Sequence, residues 1–481
     1  MKKIIYSLLA VAALTLSSCE DFTDLQPKGK NLLTTTDQLE MLLNAEVSSC
    51  SSDMRQMAGD MIYAYSNIAT TISQPVKTRG VIIWTYDEAS MDKMAELTAN
   101  DGDYSTFYGY IGTISNPILT KIDEASGSEA AKKQIKCEAL ALRAYSFYML
   151  INKFAKAYDP STAANTPGII LMTEDKDIQT PQPKSTVEEV YTQILKDINE
   201  AIDLGGLPDV AVNKMRLCKP AAYAIKALTL LNMQKWDEAE EAAKQALAIN
   251  GAVNDYNNAY QGTAQGYLAG GTYPIINRGQ KGTDEDYFYD NSFEFYNCYT
   301  PETMANFEDG HAYKEKMSCA NMTYDYMMDA SESILGEPGF NITCDLNSRW
   351  NDGGLRSTQM YLATAECEAH KGNFDTAMEY LDKVRINRID PAKYQPLKGT
   401  VSTEKDAIAH VKQVTLNEDI YSSFIFIDKK RWNQLDGWKQ SYSRTLAGKT
   451  YTIKPDSKMW VFPFPMSVMN NNDKITQNYN E

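Results

Sequence analysis

Long apolar runs are almost missing from these 481 residues, and so are histidine and any surplus of positive charge. Apart from Ile4 to Leu16, no stretch approaches the roughly eighteen consecutive apolar side chains of a membrane-crossing helix. Lys and Arg number 47 against 63 Asp and Glu, and the net charge of −16 excludes a surface built to displace phosphate counterions. The three histidines, His311, His370 and His410, lie far apart in the chain. His370 falls in a turn, where a solvent-facing or capping role is expected. There is no His-Glu-x-x-His, no Gly-x-Ser-x-Gly, no Walker loop and no dinucleotide fingerprint. Acidic pairs suited to glycoside cleavage arise by chance among so many carboxylates and single out no site. The residues therefore point away from an enzyme.

Cysteine is equally uninformative as a scaffold. Besides Cys19 there are Cys50, Cys137, Cys218, Cys298, Cys319, Cys344 and Cys367, an odd number without a Cys-x-x-Cys. Neither a complete disulfide framework nor a zinc site is indicated. Cys137 and Cys367 fall in helical patterns and read as small buried apolar residues. Pairing among Cys298, Cys319 and Cys344 stays open.

What the chain does contain is helical hairpins. In the stretch from Ser357 to Ile389, Tyr361, Leu362, Ala365 and Ala369 recur at helical spacing. Lys371-Gly372-Asn373 interrupts, and Phe374, Ala377, Met378, Leu381 and Val384 resume. A near-copy runs from Pro220 to Ile249, pairing Tyr223 with Tyr361, Ala227 with Ala365, Trp236 with Phe374 and Asp237 with Asp375. An aromatic-Asp-x-Ala turn after an Ala-rich helix resembles the tetratricopeptide repeat, whose helix pairs bury their apolar faces by stacking on neighbours. Such scaffolds hold things rather than transform them.

The chain opens as a targeting signal. Lys2-Lys3 precede the apolar run, and Leu16-Ser17-Ser18-Cys19 matches the bacterial lipobox, so residues 1–18 read as a removed signal and Cys19 as the lipidated first residue. Several acyl chains, each methylene contributing about 0.8 kcal/mol, would hold the protein firmly to a membrane. Residues 19–30 form a short acidic tether. Thr36-Asp37 caps a first helix. Gly80 to Tyr86 (GVIIWTY) reads as a strand-like or buried apolar segment, with Trp84 a core residue or a ligand platform. Asn100-Asp-Gly-Asp103 reads as a polar turn, too incomplete for a calcium loop. Helices are expected over Tyr104 to Ile122, kinked near Asn116-Pro117, and over Ala131 to Phe154. Ser185-Thr-Val-Glu188 reads as a capping box opening an amphipathic helix.

After Asn250 helical periodicity fades. Between Gly251 and Thr300 six glycines break the chain, yet 8 of the 30 tyrosines fall there. Disordered segments lack aromatics, so this window reads as ordered binding loops or as rings that fill a second small core. Rings on loops suit pyranose faces, with neighbouring Asp, Asn and Gln bonding the hydroxyls, and Tyr also suits peptides. The candidate ligand-binding residues are Tyr273, Tyr287, Tyr289, Tyr296 and Trp84, with Trp350, Asn351 and Asp352 on the Gly-rich loop that follows.

Several stretches together resemble the SusD/RagB family of outer-membrane nutrient-binding lipoproteins. These are Cys19-Glu-Asp-Phe to Pro27, Glu138-Ala-x-x-Leu-Arg-Ala-Tyr, Ser185-Thr-Val-Glu-Glu-Val-Tyr-x-x-Ile-x-x-Asp197, Asp428-x-x-Arg-Trp432, and Trp460-x-x-Pro-x-Pro465 with Gln477-Asn478. The chain departs from the family's Glu-Gly-x-Arg block, having Ser422-Ser423-Phe424-Ile425 instead. The resemblance implies a mainly α, tetratricopeptide-like scaffold over residues 31–250 and 354–481, with a loop-rich insertion at 251–353 carrying a few short strands. It also implies surface exposure on the outer membrane and capture of an oligosaccharide or polysaccharide for a SusC-like TonB-dependent transporter. In the RagB branch the ligand is a peptide. No cofactor or metal is implied. The remaining alternative is a repeat adaptor that grips protein partners on its concave face.

Overall fold

The element that everything else packs on is the 26-residue helix Glu129–Phe154, about 39 Å long at 1.5 Å per residue. Ser128 caps it, its hydroxyl accepting from Ala131 N at 3.2 Å. From Cys137 to Phe154 every residue is buried, so this helix runs through the core rather than along a surface. Its charged side chains are paired: Arg143 grips Asp197 with two bonds of 2.7 Å, and Glu138 accepts from Arg216 Nε at 2.5 Å. The family-like residues Glu138, Arg143 and Asp197 thus join the first repeat helices to one another.

The computed structural model describes residues 33–44, 53–59, 61–64, 66–174, 180–259, 283–292, 297–319, 335–337, 339–343, 350–351, 353–420 and 422–481. The lipobox with Cys19, the tether, Tyr273, Tyr296 and Asp352 lie outside the described residues.

Numbering the principal helices, α1 is Thr36–Leu43, α2 Arg79–Trp84, α3 Gly102–Tyr110, α4 Glu129–Phe154, α5 Val187–Leu204, α6 Lys219–Asn232, α7 Trp236–Ile249, α8 Ser357–His370, α9 Phe374–Arg385, α10 Glu404–Glu418 and α11 Phe424–Trp432. The pairs α4–α5, α6–α7 and α8–α9 are hairpins, and α7 packs on α8 so that the hairpins stack. Both repeat turns carry one residue in the left-handed region, Gln234 at φ 61° and Gly372 at φ 80°. These two positions are equivalent when Trp236 is laid on Phe374, so the turns are alike in backbone as well as in sequence. Lys371 bonds Glu368 at 2.9 Å on its own hairpin and also Glu240 on the other.

His370 is not solvent-facing. Its ring stacks on Trp236 at 3.9 Å and 10°, and on Trp438 at 4.6 Å and 23°. The turn is covered by its neighbour hairpin, a tertiary contact that hairpin periodicity alone does not reveal.

The Gly80 to Tyr86 segment is helical rather than strand-like. Thr78 caps α2, and all four of Val81, Ile82, Ile83 and Trp84 are buried. Five apolar residues without a clear period do not distinguish the two states. The Tyr104 to Ile122 region is α3, a π turn at Ile111–Ser115 and a last helix at Asn116–Lys121. Pro117 has no N–H to give to the helical ladder, and the chain widens by one residue just before it. The α5 capping box uses Thr186 and Glu189, one residue later than the sequence suggested. Asp101 caps α3 and, with Asp103, holds the buried Lys153 amine at 2.5–2.9 Å. The polar turn therefore serves an internal ion cluster.

Phe424 and Ile425, where the family-like block departs, are 2% and 0% exposed and fill core space at the start of α11. Arg431 and Trp432 both bond Glu366 of α8, Arg431 Nη2 at 2.9 Å and Trp432 Nε1 at 3.1 Å. Burial alone would raise the Glu366 carboxyl, but Arg431 outweighs it and holds Glu366 well below the usual carboxylate range. At the C-terminal side, Asn478 Nδ2 bonds the carbonyls of Phe154 and Phe462 at 2.5 and 2.7 Å. Gln477 clasps both the N–H and C=O of Phe464 at 3.0 and 2.9 Å. The extended tail is thereby fixed to the end of α4. Cys137, Cys218 and Cys367 are free, buried thiols, and burial pushes each of them above its ordinary pKa.

Strand content is small. Four short strands, Met61–Tyr63, Asn297–Tyr299, Asn341–Thr343 and Ser318–Cys319, form one antiparallel sheet in that spatial order. Tyr442–Leu446 and Lys449–Ile453 form a separate hairpin.

Candidate functional site

Between the two repeat hairpins, one pair of short strands joins residues 286–288 to the start of α8, and a second pair lies beside it in sequence. Asp286–Phe288 pairs with Leu355–Arg356, and Asn291–Ser292 pairs with Trp350–Asn351. Beneath them lies a cluster of buried charge. Arg388, 1% exposed, bonds Glu418 at 2.8 and 2.9 Å and Glu285 at 3.1 Å. Its guanidinium carbon sits 3.7 Å over the Tyr256 ring, and it also donates to Asn254 O. Arg356 reaches Glu418 at 3.5 Å and bonds Asp419. Two arginines thus face three carboxylates, with residues 254, 256 and 285 contributed by the insertion.

The cluster decides which carboxyls stay ionised. Burial acts on all three, yet Arg388 keeps Glu418 below the usual range. Glu285 is raised by burial, with Glu418 adding to it against Arg388. Asp419 is pushed up to about 7 by burial, which Arg356 only partly offsets. His311, beside this cluster, is pushed down to about 3 by burial, with Arg388 and Arg385 in the same direction. It is neutral at physiological pH.

The Tyr145 hydroxyl of α4 lies 2.8 Å from Asp290 Oδ2 and 2.6 Å from Gly353 O, its one proton shared between the two acceptors. Gly354 is required by close approach: a Cβ there would overlap Asn351 Oδ1 and the Phe288 carbonyl. This glycine of the Gly-rich loop therefore serves close contact.

Four of the sequence-stated candidates have side chains in the described residues, and all four serve the fold. Asn351 donates to Asp286 Oδ1 at 2.6 Å and Phe288 O at 2.9 Å, and its Oδ1 accepts from Asp290 N at 3.0 Å. Its capacity is spent as a brace between the strand pairs. Tyr287 and Tyr289 are 1% and 3% exposed: α6 packs on the strand pair that carries Tyr287, and Tyr289 N donates to Lys214 O at 2.6 Å. Tyr287 donates to Asn250 O. Trp84 is 6% exposed and donates to Gln56 Oε1 at 2.6 Å. These are corrections: in this structure the four fill and brace the core and do not face a ligand. Trp350 pairs through its backbone with Ser292. The side chain of Trp350, like Tyr273, Tyr296 and Asp352, lies outside the described residues. The structure therefore brings Asn351, Tyr287 and Tyr289 together at the root of the insertion and leaves Trp84 elsewhere.

Sequence reasoning missed Glu285, Arg388, Glu418 and Tyr145. Only Tyr145 carried a signal, as the last residue of the Glu138-to-Tyr145 block. Arg388 and Glu418 sit among polar residues near helix ends, where a charge ordinarily faces water.

Two family descriptions match the chain. One, of SusD-like proteins described as starch-binding and associating with the outer membrane, matches residues 21–231. The other, the SusD family, matches residues 352–480. Among solved structures, a SusD superfamily protein from Bacteroides thetaiotaomicron is similar at TM-score 0.65 and 17% identity, over 92% of this chain and 99% of that one. A SusD-like carbohydrate binding protein from Bacteroides vulgatus is similar at TM-score 0.63 and 19% identity, over 92% and 97% of the two chains. Surface glycan-binding protein A from Bacteroides uniformis is similar at TM-score 0.62 and 13% identity, over 93% and 100%. No curated protein matches the sequence. At these identities the solved structures speak to the fold. The two family matches span most of the chain and agree with the helical-hairpin architecture and the paired family-like residues, so this chain belongs to the SusD/RagB family.

Proposed function

We propose that this chain is a lipid-anchored outer-membrane protein that captures an oligosaccharide or polysaccharide and delivers it to a SusC-like TonB-dependent transporter. The observation that carries the reading is the anchoring of Asn254 and Glu285, which flank the aromatic-rich stretch of the sequence, on the helical stack by Arg388 and Glu418. The matching family description, starch-binding and outer-membrane-associating, supports it. So do the names of the carbohydrate-binding and glycan-binding proteins that share the fold. The lipobox at Cys19 supplies the anchor, and no helix of the described residues is long and apolar enough to cross a membrane.

Because Tyr287, Tyr289 and Trp84 are buried, the contact is assigned to Trp350 with Tyr273 and Tyr296, with Asp352 bonding hydroxyls. Each stacked ring contributes about 1 kcal/mol, so a lone protein binds weakly and enclosure against the transporter supplies the remainder through effective concentration. The ligand leaves chemically unchanged. In a glycan and peptide array on the soluble form lacking residues 1–19, glycans should be retained. Retention of peptides alone would replace the saccharide reading with the RagB-like one. New reducing ends released from a bound glycan would overturn the binder reading altogether.

A further inference from the structure

A second concavity lies away from the insertion. Residues 155–166 after α4, the end of α11, and residues 455–461 and 479–481 surround a cleft of about 540 Å³. That is within the span of roughly 300–1,000 Å³ usual for small-molecule sites. None of its lining residues belongs to 251–353, so it is not part of the proposed glycan contact.

Its most unusual lining group is Lys430, 3% exposed. The amine donates to the carbonyls of Asn152, at 2.8 Å, and Ala155, at the C-terminal end of α4. An ammonium has three N–H donors, and the described residues give this one no carboxylate. The third donor is left for the cleft. A buried cation held only by carbonyl oxygens is compensated far less than one beside an anion. Lys156, exposed on the same rim, also has no partner among the described residues.

We propose that this cleft binds a small molecule through a carboxylate group, received by Lys430 Nζ from below and Lys156 Nζ from the rim. The lining favours a single carboxylate on an otherwise polar body. Asp159, Asp456 and Glu481 line the same space and oppose a polyanion, while Gln434 and Thr162 offer neutral hydrogen bonds. Two sources present that chemistry, a hexuronic acid unit of a glycan and the C-terminal end of a short peptide.

The electrostatics give the site a pH signature. The charged and titratable groups lining the cleft with Lys430 are Lys156 and Asp159 on the loop after α4, Asp456 and Lys458 on residues 455–461, and Tyr479 and Glu481; the Phe426 ring lies 5.5 Å from its amine. Burial pushes the Lys430 ammonium down to about 7. A bound carboxylate favours the protonated amine, so binding takes up a proton above that value, and affinity falls by up to about tenfold per pH unit.

The test is titration calorimetry of the full chain with sodium galacturonate, glycylglycine and galactose at pH 6 and pH 8. At least one acid should bind, more tightly at pH 6, while galactose does not. Galacturonate alone identifies an acidic sugar, glycylglycine alone a peptide end, and both together a site that reads only the carboxylate. Lys430→Met should weaken binding by about tenfold or more, the loss expected of a charge-assisted hydrogen bond, and Lys156→Gln should weaken it less. If Lys430→Met does not fold, Lys156→Gln and the pH dependence decide. Failure of both acids to bind, equal binding of galactose, or acid binding unchanged by pH and by Lys156→Gln overturns the proposal. None of these outcomes bears on Trp350 or the insertion.

Discussion

Replacing Arg388 with methionine isolates what roots the insertion. Methionine keeps most of the aliphatic stem and removes the guanidinium that bonds Glu418 at 2.8 and 2.9 Å and Glu285 at 3.1 Å. Glu418 keeps only Arg356, at 3.5 Å, and Glu285 loses its cation. Breaking a buried ion pair from one side costs about 3–5 kcal/mol, because the surviving charge stays desolvated. The sign of the pH dependence follows. In the native protein Arg388 holds the buried Glu418 low; without it burial prevails and the folded-state pKa rises above the unfolded value. A carboxyl so raised destabilises the fold as pH climbs from the unfolded pKa through the folded one. The Arg388→Met penalty should therefore be larger at pH 8 than at pH 5. Denaturant unfolding followed by tryptophan fluorescence at both pH values measures it, and hydrogen exchange should show faster opening of residues 251–256 and 283–290 than of α4. A loss below about 1 kcal/mol, the yield of a surface ion pair, or one no larger at pH 8, would refute the reasoning.

Gly372, at φ 80° in open space, should lose about 1 kcal/mol on Gly372→Ala, while Gln234→Gly in the equivalent turn should gain up to about that much, both read from unfolding midpoints. Burial pushes Asp428 up to about 6 against the pull of Arg431. Its contribution is full below the unfolded pKa near 3.8 and lost as pH rises through 6, so Asp428→Asn should flatten the fall in melting temperature across that window. Lys153→Met leaves Asp101 and Asp103 buried without their amine, bonded now at 2.5–2.9 Å, and should cost about 3–5 kcal/mol by denaturant unfolding.

The repeat hairpins and the family-like blocks were legible because their residues meet one another. Arg143 with Asp197, Arg431 with Glu366, and Asn478 with the Phe154 carbonyl each join two quoted stretches or a stretch to its helix. The second hairpin turn was legible because Gly372 sits where the backbone turns left-handed, and the first followed by alignment, its Gln234 giving no signal of its own. What could not be read was burial on the far side of an element. Tyr287 and Tyr289 carry the ring-on-loop composition of a binding site, yet both are buried. His370 has the sequence setting of an exposed turn and is closed between two indoles, one of them Trp438 from far along the chain. Composition reports which rings are available, and only tertiary contacts decide which of them meet water.

The account rests on rings of the insertion outside its buried root, and a comparison of two variants tests it most directly. Glycan retention by the soluble form lacking residues 1–19 should be lost when Trp350, Tyr273 and Tyr296 are all changed to alanine, with the fold's melting temperature kept. A Trp84→Phe variant, altering a buried indole, should retain glycan as before. Undiminished retention by the triple variant, or no glycan retained by the unaltered chain, would contradict the account.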